Sequence, residues 1–250
     1  MAMYVYKNAA RTNLLFAKNA KNQDKGVRFY CPNPKCDAHM YISNIDGVSA
    51  SYFRATRSHK HTEGCPYGIS NGFDPNKYNE KSFEFDNALM SLMSPSPPQS
   101  KSISPREHGN GIVIPKPPRT IRQIYSMCKS HEYSDRYNGQ TIGKMLLDNR
   151  SIHMYPKGVF GWKIIEAKCK RPNFYDSDKM EISLVVAFIE KNDYTFVLKF
   201  DDEKLFKEIK NIIFSNKNYL IIVAGQWYST GTYNVFQTTF SSKKQLSIIK

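Results

Sequence analysis

Apolar residues in the C-terminal half of the chain follow the periods of β-strands and of one amphipathic helix. Five short runs are rich in β-branched and aromatic residues, as strands are. They span residues 162–168, 182–188, 194–200, 219–227 and 235–240. Between the third and fourth runs, residues 201–215 carry apolar side chains at the i, i+3, i+4 and i+7 positions of a helix. The pattern therefore predicts three strands, one helix and two further strands.

The predicted helix at residues 201–215 begins with two aspartates. Asp201 and Asp202 stand where an acidic side chain caps free backbone amides and meets the positive end of the helix dipole. Shorter helices are predicted from the same period at residues 79–93, 119–131 and 141–149. We expect the helix at residues 79–93 to close the N-terminal part of the chain with its apolar stripe.

A Pro- and Ser-rich stretch at residues 94–118 interrupts these patterns. It contains seven of the chain's 13 prolines and few apolar residues. Because proline donates no backbone hydrogen bond to a helix or sheet, this composition predicts a semi-rigid linker. We expect the chain to divide into a module at residues 1–93 and a domain at residues 119–250.

Cysteine and histidine residues in the N-terminal module have the spacing of metal ligands. Four residues separate the first two cysteines, and three separate a histidine from a third cysteine. Zinc takes four thiolate or imidazole ligands in a tetrahedron, commonly as two close pairs from separate turns. The spacing predicts a zinc-ribbon-like module that holds one Zn²⁺ ion through Cys31, Cys36, His61 and Cys65. Two other histidines, His59 and His39, remain alternatives to His61, which we favour because it lies at a short spacing from Cys65.

Three stretches of this module form a wider pattern around the ligands. Residues 8–20 are rich in alanine, residues 29–36 hold a Cys-Pro knuckle, and residues 51–55 hold an aromatic-Phe-Arg triplet. In this the module resembles the zinc module of bacterial competence-type proteins. The chain departs from that family in the wider spacing of its first cysteine pair and in Tyr52, where the family often has histidine. The resemblance implies a nuclease domain after the module, but an acidic Asp…Glu-x-Lys pattern is matched only weakly in this chain.

The chain carries a large excess of positive charge. The 36 Lys and Arg residues outnumber the 22 Asp and Glu residues, so the net charge is +14. Residues 1–80 contribute +5 and residues 119–250 contribute +8, so both ordered parts are basic. Aromatic residues make up 13% of the chain. Basic residues mixed with aromatic ones favour a single-stranded nucleic acid as partner, because bases stack on rings and phosphates pair with cations.

The predicted order of strands and helix in the C-terminal domain resembles that of oligonucleotide-binding (OB) proteins that bind single-stranded DNA. The resemblance implies a small β-barrel with one helix between its third and fourth strands. It also implies that the ligand lies between the loop after the first strand and the hairpin before the fifth. The first loop offers Lys170, Arg171, Phe174 and Tyr175. The hairpin offers Trp227, Tyr228 and Tyr233. We expect these aromatic side chains to be exposed and to stack on bases.

Together these features predict an α+β protein that binds single-stranded DNA or RNA and contains zinc. No common nucleophile or phosphate-binding motif is present, so we expect a non-catalytic accessory factor of replication, recombination or defence, with other such proteins as possible partners. The absence of a long apolar run and the few cysteines favour the cytoplasm over a membrane or secretion. A metal-dependent nuclease and a protein-interaction adaptor remain alternatives. Whether the ligand is DNA or RNA stays open.

Overall fold

The structure is a computed structural model that combines two β-sheet systems with a few helices. It describes residues 2–45, 51–62, 65, 67–68, 73–94, 115–170, 172–187 and 194–249. The mixed α+β class predicted from the sequence is confirmed. No helix in the described part of the chain is both long enough and apolar enough to cross a lipid bilayer.

The N-terminal part forms an antiparallel sheet of five short strands in the order β2-β1-β3-β4-β5. Its strands are β1 (Tyr4–Tyr6), β2 (Leu14–Phe16), β3 (Phe29–Tyr30), β4 (His39–Ser43) and β5 (Tyr52–Ala55). One face of the sheet is fully buried through Val5, Phe29, Met40 and Phe53. Cys31, Cys36 and Cys65 belong to the same core. The metal-ligand candidates are therefore part of the packing of this small sheet.

Between the two sheet systems lie three helices and three two-residue strands. They are α1 (Phe85–Met93), α2 (Ile121–Ser130), β6 (Arg136–Tyr137), β7 (Gln140–Thr141), α3 (Ile142–Met145) and β8 (Leu146–Leu147). The predicted helix at residues 119–131 is confirmed as α2, which begins with a capping box of Thr120 and Gln123. The helix predicted at residues 141–149 is limited to the single turn α3, because Leu146 and Leu147 instead pair with a strand of the barrel.

The C-terminal domain is built on a closed barrel of five strands. The elements of this part are β9 (Gly161–Cys169), β10 (Tyr175–Asp176), β11 (Glu181–Val186), β12 (Thr195–Lys199), α4 (Glu203–Ser215), β13 (Leu220–Ser229), β14 (Val235–Thr239) and β15 (Leu246–Ile249). The barrel runs β9-β11-β12-β14-β13 and closes through β13 on β9. The pairing of β12 with β14 is parallel, and the other four are antiparallel. The five predicted strands and the helix between the third and fourth are confirmed.

Two separate cores lie on the two sides of the long strands β9 and β13. Alternate side chains such as Ile165 and Val223 fill the barrel interior, where they meet α4. The intervening side chains, such as Ile164 and Ile222, point outward and pack against α1 and α2. The expectation that residues 79–93 close the N-terminal module is wrong, because the apolar stripe of α1 packs on the barrel. Of the predicted linker, residues 95–114 lie outside the described residues.

Buried ionic groups join the N-terminal sheet, α2 and the barrel. Lys129 Nζ lies 2.9 Å from Asp148 Oδ2 and 3.0 Å from Glu166 Oε1. Arg150 donates from Nε to Asp148 Oδ2 at 2.7 Å and from Nη1 to the Tyr4 hydroxyl at 3.2 Å. The two cations and two carboxylates balance in charge, as buried ions require. Tyr4 lies in β1, so this network fixes the N-terminal sheet to the barrel.

Candidate metal centre and barrel surface

The four predicted metal ligands come from two loops at one end of the N-terminal sheet. Cys31 directly follows β3, and the turn that leads to Cys36 is closed by a hydrogen bond from the Cys36 amide to the Asn33 carbonyl. His61 and Cys65 lie on the loop after β5, where the Cys65 amide donates to the Thr62 carbonyl. Each pair is thus held by a tight turn, as its spacing predicts.

The side chains of these residues converge on one point. The Sγ atoms of Cys31, Cys36 and Cys65 lie 3.5, 3.4 and 3.5 Å from Nδ1 of His61. The Sγ atoms of Cys31 and Cys65 are 3.8 Å apart, and all four ligand atoms lie within 4.8 Å of one another. The four residues are close enough to hold one metal ion. The alternative histidines stack on each other elsewhere, with His39 and His59 rings 3.7 Å apart.

The electrostatics of the cluster favour thiolate at one ligand even without a metal. The pKa of Cys65 is lowered to about 3, chiefly by the hydrogen bond with Cys31 and against the effect of burial. A hydrogen bond with His61 contributes in the same direction. The pKa of Cys31 is raised well above its usual range, because it keeps the proton shared with Cys65 and is buried. A thiolate is the form of cysteine that binds metal ions.

Two residues that support the ligands were not singled out in the sequence. Arg11 lies in the left-handed region with φ of 54° and donates to three carbonyls of the cysteine knuckle, those of Cys31, Asn33 and Cys36. Gly68 packs so tightly on His61 that an added Cβ would lie 2.3 Å from the His61 Cβ. No sequence signal pointed to Arg11, since its partners are backbone atoms 20 to 25 positions away.

The structure divides the seven predicted nucleic-acid contacts into three groups. Tyr175, Tyr228 and Tyr233 are exposed, as predicted, and Lys170 is half-buried. The expected exposure is wrong for Trp227, whose ring is fully buried in the barrel, and for Phe174, which is also buried. Arg171 lies outside the described residues.

The burial of Trp227 follows from strand alternation. Positions 221, 223 and 227 of β13 all point into the barrel, so Trp227 is in phase with the interior, whereas Tyr228 is out of phase and points outward. The Trp227 ring packs 5.1 Å from that of Phe196, and its Nε1 donates to the Lys163 carbonyl at 3.3 Å. Trp227 is therefore a core residue and is removed from the set of stacking candidates.

The two predicted ligand loops lie at opposite ends of strand β12. Glu181, at the start of β11, pairs with Lys199 at the end of β12, so the first loop lies there. Val235, at the start of β14, pairs with Thr195 at the beginning of β12, so the hairpin lies at the other end. The outward surface between the loops is formed by β11, β12 and β14.

That surface is chemically neutral. The register places Ser183, Val197 and Gln237 in one row across the three strands, and Tyr228 continues the row on β13. At the end of β12, Lys199 forms an ion pair with Glu181 at 3.4 Å. The aromatic groups at the two ends are Tyr175, with Lys210 Nζ 4.7 Å from its ring centre, and the two hairpin tyrosines.

Comparisons of the chain with known protein families, with curated proteins and with solved structures find no match.

Proposed function

We propose that this protein binds single-stranded nucleic acid on its barrel and acts as a non-catalytic accessory factor in replication, recombination or defence. The observation that carries the proposal is the barrel's connectivity. The strand order first-second-third-fifth-fourth, the parallel third and fifth strands and the helix before the fourth strand are those of the OB fold. In that fold the outer surface of the second and third strands and the two flanking loops bind oligonucleotides.

In this chain the exposed tyrosines supply the stacking groups of the proposed site. Tyr233 is 89% exposed and Tyr228 is 50% exposed, and both belong to the hairpin that flanks β12 and β14. The neutral row of Ser183, Val197 and Gln237 offers a surface on which bases can lie without a cost for stripping water from charges. The overall charge of +14 attracts the phosphate backbone.

For the N-terminal cluster we propose a structural Zn²⁺ ion. A tetrahedral site with Zn–S bonds of about 2.3 Å and Zn–N bonds of about 2.0–2.1 Å has S–S edges of about 3.8 Å and S–N edges of about 3.5 Å. The three S–N separations of 3.4–3.5 Å and the 3.8 Å between the Cys31 and Cys65 sulfur atoms agree with these edges. Three cysteines and one histidine leave no open coordination position, so the metal would hold the two loops together rather than act on a substrate.

Fluorescence anisotropy with labelled single-stranded DNA, single-stranded RNA and duplex DNA tests the proposed function. We expect the full chain to prefer single strands, with an affinity that falls with salt at about 0.7 per neutralised phosphate in a log–log plot. Because stacking is worth about 1–3 kcal/mol per base, Tyr228→Ala combined with Tyr233→Ala should weaken binding at least fivefold.

The matched control is Phe214→Ala. Phe214 is equally an exposed ring, but it precedes β13 whereas Tyr228 lies near its other end. This variant should bind as the parent does. Full affinity of the double tyrosine variant would exclude this surface, and a parent that binds no single strand would exclude the function. Metal-dependent cleavage of the labelled strand would contradict the non-catalytic part of the proposal.

A further inference from the structure

On strands β3, β4 and β5, the N-terminal sheet has a second face whose side chains lie outside the metal cluster and the buried core, whereas on β1 the same face is covered at Tyr4. Residues directly opposite each other on neighbouring strands point to the same side of a sheet. The register pairs Tyr30 with His39, Tyr41 with Arg54, and Ser43 with Tyr52. Met40 and Phe53 alternate with them and point into the core. The opposite face therefore displays one histidine, three tyrosines and one arginine, all at least partly exposed.

Cations surround these rings. The Arg28 guanidinium lies 5.1 Å from the ring centre of Tyr30, a cation–π contact. Arg54 and Arg57 are exposed on β5 and just after it, and within the described part of the chain neither forms an ion pair. Loss of hydration and the charge of Arg28 lower the pKa of His39 at this edge, and the carboxylate of Asp37 opposes them. The face is consequently positive, with two guanidinium groups available to a ligand.

The arginines and one tyrosine line a cleft of about 610 Å³. Its walls are Tyr41, Arg54, Ala55, Thr56 and Arg57. This volume lies within the range of sites that hold small organic molecules. A planar base on Tyr41 would leave its phosphate beside guanidinium groups, which bind phosphate through two parallel hydrogen bonds. The histidine rings of His39 and His59, stacked 6° from parallel, extend the aromatic surface along the same edge.

We propose that this face is a second contact surface for a single-stranded nucleic acid, with bases on Tyr30, Tyr41 and Tyr52 and phosphates on Arg28, Arg54 and Arg57. The inference rests on the proposed function for the class of ligand, but on different residues for the site. Rings that alternate with cations are the pattern of single-strand binding, because every base has a face to stack and every nucleotide has a charge to neutralise. Within the described part of the barrel surface few cations lie near the exposed rings, so the N-terminal module would supply further phosphate-binding groups.

The test uses the full chain and labelled 20-nucleotide dT and rU strands at several salt concentrations. Arg54→Gln combined with Arg57→Gln should lower the log–log salt slope by up to about 1.4, at about 0.7 for each phosphate that the variant no longer neutralises. Tyr41→Ala should weaken binding at least fivefold at fixed salt. Arg54→Lys combined with Arg57→Lys keeps the charge and should restore most of the salt slope.

The control is Lys204→Gln combined with Lys217→Gln, which removes the same charge from the region of α4. It should leave the slope near that of the parent. One bound metal per chain in each variant shows that the module is still folded. Unchanged affinity and slope in the folded arginine and Tyr41 variants would overturn the inference.

Parallel measurement of the hairpin variants separates the two proposals. The sheet variants are Arg54→Gln with Arg57→Gln, and Tyr41→Ala. If Tyr228→Ala with Tyr233→Ala weakens binding and the sheet variants do not, the result supports the barrel site and contradicts the second surface. If the sheet variants weaken binding and the hairpin variants do not, the result supports the second surface and contradicts the barrel site. Weaker binding in both sets supports both surfaces. A difference between the dT and rU strands shows whether the DNA or the RNA strand binds more tightly.

Discussion

At the scale of single residues, the Cys/His cluster was predictable because the ligands of each pair are close together in the sequence. Two residues of a pair can bind the same ion only when a short turn joins them. The close spacing of Cys31 with Cys36, and of His61 with Cys65, therefore indicates a shared ion. The burial of Trp227 was also predictable from the sequence, since Trp227 is an even number of positions from Ile221 and Val223 and points to the same side of the strand. The prediction places Trp227 both at the last position of the fourth strand and in the hairpin, whereas the strand continues to Ser229 and keeps its alternation through Trp227. Arg11 could not be identified in this way. It donates to backbone carbonyls, which every residue has, so the types of its partner residues give no signal.

Gly68 provides a test of the cluster that changes no ligand. An alanine methyl group there would lie 2.3 Å from His61 Cβ, which no side chain tolerates, so Gly68→Ala must displace His61. We expect the variant to bind zinc more weakly and to lose it to a chelator that leaves the parent loaded. Elemental analysis after dialysis against graded chelator measures this.

Gly139→Ala is the control for the added methyl group, because its Cβ would meet nothing within 4 Å, although the backbone there has φ of +81°. It should retain its zinc. Equal metal content in the Gly68→Ala and parent proteins would contradict the assignment of His61, and a parent purified without zinc would contradict the choice of metal.

At the scale of elements, periodicity identified the barrel strands and α4 because each has one clear buried side. Periodicity predicts which face of a helix or strand is buried, but it does not predict which other element covers that face. The stripe of α1, with Phe85, Leu89 and Leu92, was therefore recognised, whereas its packing on the barrel was not. The two-residue strand at Leu146–Leu147 was missed for a related reason. Its pairing with β9 is parallel and non-local, so nothing in the neighbouring sequence marks it.

The start of α4 gives a prediction for an element. The Asp202 side chain accepts a hydrogen bond from the Leu205 amide at 2.9 Å, so it caps the helix. Asp202→Ala should lower the free energy of unfolding by about 1 kcal/mol, within the usual range of about 0.5–2 kcal/mol for removal of a cap. Urea unfolding followed by circular dichroism measures the change.

Asp201→Ala removes the same charge one residue earlier, where the structure gives no capping bond, and it should cost clearly less. Equal decreases in stability in the two variants would mean that the charge near the helix end matters and that the cap does not.

At the scale of the whole molecule, the buried ions decide how the two sheet systems are held together. Sequence patterns could not reveal this network, because its members come from three places, and each is by type an ordinary surface residue. Lys129 lies in α2, Asp148 and Arg150 lie in the turn after β8, and Glu166 lies in β9. Burial alone would raise the pKa of Asp148, but the charges of Lys129 and Arg150 and their hydrogen bonds hold it well below its usual range. Burial would lower the pKa of Lys129, but Asp148 and Glu166 raise it.

Asp148 therefore predicts how stability depends on pH. A carboxylate whose pKa is depressed by folding contributes stability above its unfolded pKa of about 3.9, and that contribution is lost as the pH falls below this value. The protein should lose stability steeply below about pH 4. Asp148→Asn should cost about 3–5 kcal/mol at pH 7, because it leaves two buried cations with Glu166 as their one remaining carboxylate, and Arg150 without its own partner.

Urea unfolding of the parent and of Asp148→Asn at pH 3, 4 and 7 measures both effects. The difference between the two proteins should shrink toward pH 3. Asp135→Asn is the control, since its carboxylate also pairs with a lysine, but with Lys18 at the surface, at 3.8 Å. A constant difference across the pH range would show that Asp148 acts through shape and not through its charge.

The hydrogen bond between Arg150 and the Tyr4 hydroxyl also sets an order of events during synthesis. The two residues are 146 positions apart in the chain. At roughly 5–20 residues per second, a ribosome needs about 7–30 s to make the residues between them. Cys65, the last of the four ligands, precedes Arg150 by 85 positions. For about 4–17 s of that time the nascent N-terminal sheet therefore has its cysteines and histidine but lacks the partner that covers Tyr4. Binding of the proposed zinc ion would then be the event that stabilises the sheet until the barrel has been made and can pack against it.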